Sequence, residues 1–467
     1  MSNTTQKSGS KLIRIPASQS APYTSSSSRV NVIVPNNLII DMDKSYLEVQ
    51  LLIRSDDKEI ATGEGVYNFE IFQDSEVEAQ YNVGLIKNCR LSSDQKGILE
   101  ETQDVNILRN TLNEMNLTYN EKFDLQVNSL RQTYDRFAQK YNIFADYNGL
   151  GTSKSGYRLG RVPIKMSQLF GLGNVELNTS KVGALDIQVE LNIPGIEASI
   201  IDDSANVTVI DDLTAGSDVV VISEPTNNMS TVSFWVGQKV DVLSSGTSVK
   251  IGLITEISRD DQGSVSITVD GLNPTGGQTT CTIKPYIPTG QDLNIEWAGL
   301  SMVCYVLDEE SIDTSGGINY LSYVTERFNN ANADFYNNTF NCPPECVNAM
   351  MCFNDEGNGY SIADLENYRL VLDNINLTDR PVDFKSPLYY DSLVRFCLNE
   401  GSRFMNTMNI TDASEDDFIS STTGGNDIAV VCTPLPMTAQ NKLLEFNLEL
   451  NSAFSKGIVF KQLSKNI

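Results

Sequence analysis

The chain has 467 residues, 40% of them apolar and 20% charged, and a net charge of −26. That length exceeds one ordinary domain and predicts about three units, with enough apolar residues for a normal core. The absence of histidine removes Ser-His-Asp and Cys-His nucleophiles, histidine general bases and histidine metal ligands together.

No run of about 18 apolar residues occurs, so no transmembrane helix is expected. The opening Met1-Ser2-Asn3-Thr4-Thr5-Gln6-Lys7 lacks the apolar stretch of a secretory signal. The eight cysteines therefore read as reduced thiols of a cytosolic or nuclear setting rather than as a disulfide framework. Charge is uneven. Residues 1–30 carry Lys7, Lys11, Arg14 and Arg29 with no acid, and residues 450–467 carry Lys456, Lys461 and Lys465 with no acid. An acidic body repels nucleic acid, so no specific nucleic-acid binding is expected, although two basic tails could touch an internal anionic component.

Taken in chain order, residues 1–29 are rich in Ser, Thr and Pro and predict an arm with too few apolar side chains to pack. Strands start at Val32–Val34, and Tyr46–Leu51 alternates apolar and polar like a half-buried strand. Two helices are predicted in the first half. One runs from Asp104 to Glu114, with Val105, Leu108, Leu112 and Met115 at helical spacing. The other runs from about Glu121 to Tyr141, with Phe123, Val127, Leu130, Tyr134, Phe137 and Tyr141 on one face. A Val-, Thr-, Ser- and Gly-rich stretch, 197–290, predicts strands at Val207–Ile210, Val219–Ile222, Val232–Val236, Val249–Ile254, Val265–Val269 and Thr280–Ile283. These make a small barrel or sandwich, with Trp235 as its core anchor.

An internal repeat organises the rest. Leu85–Ser92 matches Val371–Thr378 at an offset of 286. A helical Leu-Arg-Asn-Thr-Leu-Asn-Glu ending at Glu114 matches Val-Arg-Phe-Cys-Leu-Asn-Glu ending at Glu400 on the same diagonal. Leu185–Asn192 matches Leu444–Asn451 at 259. The same order of strand, helix, long loop and alternating strand in both halves predicts a duplicated β-sandwich, all-β in class, with short helices confined to loops. The expected division is an arm at 1–29, a first sandwich at 30–196, an inserted β-domain at 197–290, a second sandwich at 291–455 and a tail at 456–467.

Three stretches resemble binding motifs in part. Gly149–Ser155 lacks the glycine before Lys154 that a phosphate loop requires. Asn354–Ser361 resembles part of a calcium loop but places Leu365 where the bidentate glutamate belongs. Cys342, Cys346 and Cys352 cluster around Pro343-Pro344 but lack a second pair to complete a zinc site. No catalytic, cofactor or metal residue is expected.

The arm followed by Lys44-Ser45-Tyr46-Leu47-Glu48, the run Leu85-Ile86-Lys87-Asn88 with the helix from Asp104 to Arg109, and Pro163–Leu172 ahead of Leu185–Asn192 resemble the major capsid proteins with a double jelly roll. Those of polinton-like viruses and virophages are the nearest in pattern. The resemblance covers about 30–196 and 291–460 and leaves 197–290 unexplained. It implies two tandem jelly rolls, a homotrimeric pseudo-hexagonal capsomer, an icosahedral shell and no enzymatic reaction. Its implied partners are neighbouring capsomers, penton proteins and minor or cement capsid proteins. Its implied location is the virion, assembled in the host cytoplasm or nucleus. The competing reading is an attachment or spike-type β-protein that binds a host surface ligand.

Overall fold

The structure, a computed structural model, describes residues 10–55, 69–73, 77–78, 82–116, 144–146, 157–200, 208–222, 234, 236, 238–259, 265–274, 280–286, 293–308, 317–329, 334–355, 358–359, 365–378, 380–383, 386–400, 430–450 and 456–467. The expected helix at 121–141, the loop Gly149–Ser155 and Trp235 lie outside these residues.

The first part of the chain contributes strands β1 (Ser10–Pro16), β2 (Arg29–Val34), β3 (Ile39–Ser55), β4 (Phe69–Gln73), β5 (Val77–Glu78), β6 (Ile86–Ser93) and β7 (Gly97–Thr102). Helix α1 (Val105–Asn116) follows, then β8 (Phe144–Asp146), β9 (Tyr157–Lys165), β10 (Glu176–Asn178), β11 (Leu185–Leu191) and β12 (Ile196–Ile200). The middle contributes β13 (Thr208–Ile210), β14 (Val219–Ile222), β15 (Lys239–Ser244), β16 (Thr247–Arg259), β17 (Val265–Val269) and β18 (Cys281–Pro285). Then come β19 (Leu293–Leu307), β20 (Asn319–Asn329), β21 (Phe335–Cys342), β22 (Cys346–Asp355), β23 (Asn358–Gly359), β24 (Leu365–Leu372), β25 (Ile375–Asn376) and β26 (Val382–Asp383). Helix α2 (Pro387–Glu400), β27 (Val430–Pro434), β28 (Lys442–Leu450) and β29 (Lys456–Asn466) complete the chain.

Alternation decides which face of each strand is buried. In β11, Leu185, Ile187, Val189 and Leu191 point inward while Asp186, Gln188 and Glu190 stay half-exposed. In β2, Val30, Val32 and Val34 do the same. One-sided burial of this kind is what packs two antiparallel sheets face to face. The sheets of the first sandwich run β1-β19-β3-β9 and β2-β11-β6-β7. Lettered B to I along the chain, these are the orders B-I-D-G and C-H-E-F. The second sandwich repeats both, as β20-β29-β22-β27 and β21-β28-β24-β25. Two eight-stranded jelly rolls in one chain follow from strand order alone.

The boundaries differ from those expected. Strand β19, assigned to the second sandwich, closes the first: it pairs with β3 from Leu293↔Ser55 to Leu307↔Ile39, and with β1 on its other edge. Its Trp297, Met302 and Cys304 sit in the first core. The inserted β-domain is therefore an excursion between strands H and I of one sandwich rather than a spacer between two. Residues 10–16, assigned to the arm, are strand B, and Tyr23 from the same stretch is buried with its N–H bonded to Trp297 O at 2.9 Å. The expected tail is β29, a central strand between β20 and β22 with Ile458, Val459, Phe460 and Leu463 in the second core. Counting only lysines at this end hides the apolar run Gly457-Ile458-Val459-Phe460.

The repeat needs one adjustment as well. Strand H starts the match correctly, since Leu185 and Leu444 both lie on it. The strand E residues facing them are Ser93 and Leu372, which are 279 apart, not 286. Val371–Thr378 instead spans the end of β24, its turn and β25. The helix match survives, because α1 and α2 both follow strand F.

The inserted unit forms one six-stranded sheet, β13-β18-β15-β16-β17-β14, around its own core of Val240, Val242, Ile254, Ile267 and Ile283. Strand β15 was not expected. Val240 and Val242 alternate ahead of Ser244-Ser245-Gly246, where positive φ at Ser245 and Gly246 makes the hairpin turn into β16. Those residues carried the signal. Of the expected strand Val232–Val236, the described residues Phe234 and Val236 lie in no strand.

The strand order also sorts the loops. Turns C–D, E–F and G–H gather at one end of each sandwich, and the links B–C, D–E, F–G and H–I gather at the other. In the first sandwich that second end receives β4, β5 and β12, the F–G link with α1 and the inserted unit; in the second it receives the F–G link with α2.

Deleting residues 1–9 is expected to leave the urea midpoint unchanged. Deleting 1–28 removes strand B and Tyr23 and should unfold the first sandwich. Tyr23→Ala alone should cost about 3 kcal/mol, the scale of an aromatic deleted from a packed core. An unchanged midpoint for the longer deletion would contradict the pairing of β1.

Candidate functional site: the seam between the sandwiches

The two sandwiches meet where strand F of the first, β7, lies beside strand B of the second, β20. Both are edge strands, and an open edge presents unpaired N–H and C=O groups. Here the edges are joined by side chains in place of a backbone ladder. Thr102 Oγ1 donates to Tyr323 O at 3.2 Å, and Thr325 Oγ1 donates to Gln103 O at 2.7 Å. Leu99 O accepts from the Tyr320 hydroxyl and from Lys465 Nζ, each at 3.0 Å.

An ion pair closes one end of the seam. Arg327 Nε and Nη2 donate to the two carboxylate oxygens of Asp104 at 2.6 and 2.7 Å. Asp104 is buried, and its own N–H donates to Asn88 Oδ1 at 3.0 Å. It adopts φ +52°, a left-handed conformation that Asp tolerates better than most residues, and its carbonyl accepts the Leu108 N–H that opens α1. The fork geometry raises the Arg327 pKa above its ordinary value through the hydrogen bond to Asp104.

Apolar side chains cross the seam in both directions. Val105, at the start of α1, packs in the first core, whereas Leu108, Leu112 and Met115 pack in the second. In return Tyr320 of β20 is buried in the first core, with Ile318 and the terminal Ile467 against it. The helical spacing read from the sequence thus marks a face that serves the neighbouring sandwich. Backbones also approach closely. A Cβ added to Gly171 would stand 1.6 Å from Leu321 O, so only glycine fits there.

Beside Gly171 lies Glu100, 1% exposed. Its two carboxylate oxygens accept the N–H groups of Gly171 and Leu172, each at 2.8 Å. Burial pushes its pKa up to about 7, and those two backbone donors, with the charges of Arg109 and Lys465, oppose the shift.

Four basic residues of the two expected tails are used within the chain. Arg14 is paired with Glu48, Arg29 with Glu190 and Lys461 with Glu326, while Lys465 reaches across the seam. Two of the three candidate stretches fall on described backbone. Asn354 and Asp355 form a short hairpin with Gly359 and Asn358, and Cys342, Cys346 and Cys352 are buried free thiols. Among the described residues no group of three or more His, Cys, Asp or Glu could hold a metal, and no helix is long and apolar enough to cross a membrane. A solvent-open depression of about 220 Å³ on the outer C-H-E-F face is lined by Arg29, Asn88, Arg90, Gln188 and Glu190. It is occupied by internal ion pairing and hydrogen bonds such as Asn88 Nδ2 to Glu190 Oε2.

No family model matches the chain, and no curated protein matches it. Among solved structures it is similar to one of the Sputnik virophage determined by cryo-electron microscopy, at 11% identity over 98% of this chain and 86% of that chain, TM-score 0.41. It is also similar to the mavirus major capsid protein, at 8% identity over 97% of this chain and 87% of that one, TM-score 0.35. The STIV MCP aligns at 10% identity over 98% of this chain and 96% of that one, TM-score 0.34.

Glu100 gives the seam a pH dependence of definite sign. Its folded pKa lies above the ordinary value of 4.5, so its contribution is fully present below about pH 4.5 and is lost as pH rises through about 7. Glu100→Gln should abolish that part of the slope. It should also cost about 1–3 kcal/mol at low pH by turning an amide N–H toward a backbone donor. Urea unfolding at pH 5 and pH 8 checks both, and a wild-type minus variant difference that grows toward pH 8 would refute the assignment.

Proposed function

We propose that this protein is a double jelly-roll major capsid protein. Three copies form a capsomer in which six sandwiches surround a pseudo-sixfold axis, and capsomers tile an icosahedral virus shell. The protein works by self-association and performs no reaction.

One observation carries this reading: the seam can be repeated between copies. Within the chain, the F edge of the first sandwich meets the B edge of the second. The two remaining counterparts are the F edge of the second sandwich, β25 and β26, and the B edge of the first, β1. Both carry exposed apolar side chains: Ile375 is 69% exposed, Leu377 39% and Leu12 62%. A head-to-tail contact of this kind closes into a ring when its rotation divides a full turn. Duplicated sandwiches in three copies supply the six near-equivalent positions of a hexagonal tile. A shell of such tiles would meet penton and minor or cement proteins at its vertices and seams. The virion is then its location, after assembly in the host cytoplasm or nucleus. The exposed Lys11 is placed to meet an internal anionic component.

The inserted β-domain belongs on the outside of that shell. It emerges from the H–I link, at the end of the first sandwich that also receives the D–E and F–G excursions, and neither jelly roll needs it to complete its sheets. A close-packed tile has room for such a unit on its outer face.

Leu12→Glu and Ile375→Glu are surface changes that should leave the monomer's stability within about 0.5 kcal/mol. Each should shift sedimentation from trimer to monomer. Persistent trimers in both variants, or a wild-type chain that stays monomeric at every concentration, would exclude the proposed ring.

Replacing residues 203–290 with a short Gly/Ser linker should preserve trimers and remove the first site of protease nicking on intact particles. Loss of trimers with the fold retained would make the unit a structural wedge.

A further inference from the structure

The second sandwich repeats more than the strand order of the first. On the outer face of the C-H-E-F sheet, Asn31, Gln188 and Arg90 stand side by side on strands C, H and E. The same places in the second sandwich hold Asn337, Asn447 and Arg369. In the next row Glu190 is opposite Asn88, and Glu449 is opposite Asn367. Asn88 Nδ2 donates to Glu190 Oε2 at 3.0 Å, and Asn367 Nδ2 donates to Glu449 Oε2. A third row keeps an acid on strand H, Asp186 in one sandwich and Glu445 in the other.

The buried faces of the same strands have not kept their residues. Cys89, Ile187 and Val189 of the first core stand where Tyr368, Phe446 and Leu448 stand in the second. One polar residue on a solvated sheet face can replace another at a cost within about 0.5 kcal/mol. Folding alone therefore does not hold this outer set constant while the core is repacked, and a surface that both faces meet would.

The set is suited to a surface like itself. Arg90 and Arg369 are half-buried, and neither Nε has a hydrogen-bond partner. A guanidinium in that state favours a carboxylate from outside the sheet. Carboxylates are what the faces themselves present, and Glu101, opposite Arg90 on β7, adds another to the first. Ile33 and Ile98 on the first face, and Phe335 and Leu443 on the second, are apolar and exposed. A face that holds both signs of charge with apolar side chains among them can pair with its own copy across a two-fold axis, cation on acid in both directions.

We propose that the outer C-H-E-F faces of both sandwiches are where one capsomer meets the next, with Arg90 or Arg369 of each face reaching strand H carboxylates of the face opposite. The inference rests on the capsomer reading above. In that ring the F and B edges are used between sandwiches, which leaves sheet faces for the perimeter. The sides of the hexagonal tile belong alternately to first and second sandwiches. A lattice in which either kind of side can meet the other needs the same contact on both.

Sedimentation velocity of the full chain over a concentration series, with electron microscopy of the largest species, separates the two levels of assembly. The wild type is expected as trimers that gather into lattices or shells as concentration rises. Arg90→Glu with Arg369→Glu should keep the trimer and cut the larger assemblies by about tenfold or more, because like charges then face each other at every side. Adding Glu190→Arg and Glu449→Arg to that variant should restore them, which repair of a folding defect would not. If the glutamates unfold a sheet, Arg90→Gln with Arg369→Gln should show the same loss in weaker form. Unchanged larger assemblies in the Arg90→Glu, Arg369→Glu variant would overturn the inference. So would loss of its trimer with the fold retained, which would put this face inside the ring. A wild-type chain that never forms trimers would refute the capsomer reading first, and this contact with it.

Discussion

The contact between β7 and β20 is the constraint on which the rest of this molecule depends. Two β-sheet edges that simply met would zip into one continuous sheet, and the sandwiches would lose their separate cores. The chain avoids this by answering the edge carbonyls with Thr102, Thr325, Tyr320 and Lys465 side chains. The exchange of Tyr320 for Leu108, Leu112 and Met115 then fastens the two cores together. Apolar interdigitation supplies the larger part of the affinity, because area removed from water scales with these side chains. The hydrogen bonds and the Arg327–Asp104 fork fix register and direction. A polar group left unmatched in so dry a seam would cost more than a matched one gains.

Completion of the first sandwich depends on a strand that arrives late. Strand β19 must return from beyond residue 290 to lie between β1 and β3. The free-energy cost of closing such an excursion rises only with the logarithm of its length. A folded unit can therefore occupy the H–I link without loosening the sheets, provided that its two ends leave together. Its own core of Val240, Val242, Ile254, Ile267 and Ile283 means that it relies on neither sandwich for stability. The second sandwich shows the unexpanded case, with β28 and β29 separated only by residues 451–455.

Much of this was legible in the residues. The alternation of β11 and β2, the stripe of α1 and the order of the repeat each announced a duplicated β-sandwich, because one-sided burial writes a period of two or of 3.6 into the sequence. What escaped were strands whose signals are set by tertiary surroundings. Strand β1 is an edge strand with Leu12 outward, so it reads as part of a polar arm. Strand β29 has apolar residues on both sides of Lys461, whose charge is answered by Glu326; composition alone made it a tail. The membership of β19 is a matter of pairing at long range, which no local pattern encodes. At the seam, Thr102, Thr325 and Tyr320 are ordinary strand residues until the partner edge is known. Glu100 is one acid among many until Gly171 and Leu172 point their N–H groups at it.

Duplication also explains why the two ends of the molecule differ in character. Equal sandwiches offer edges of the same two kinds, so F and B edges are each used twice: β7 and β20 in the seam inside the chain, and β25 and β1 in the proposed contact with the next copy. A substitution in one sandwich's edge therefore acts on one contact and spares the other. The links at the B–C, D–E, F–G and H–I end enter neither pairing pattern, apart from α1, and so are free to lengthen independently. In the first sandwich that freedom has admitted an entire β-domain, while in the second the corresponding link is minimal.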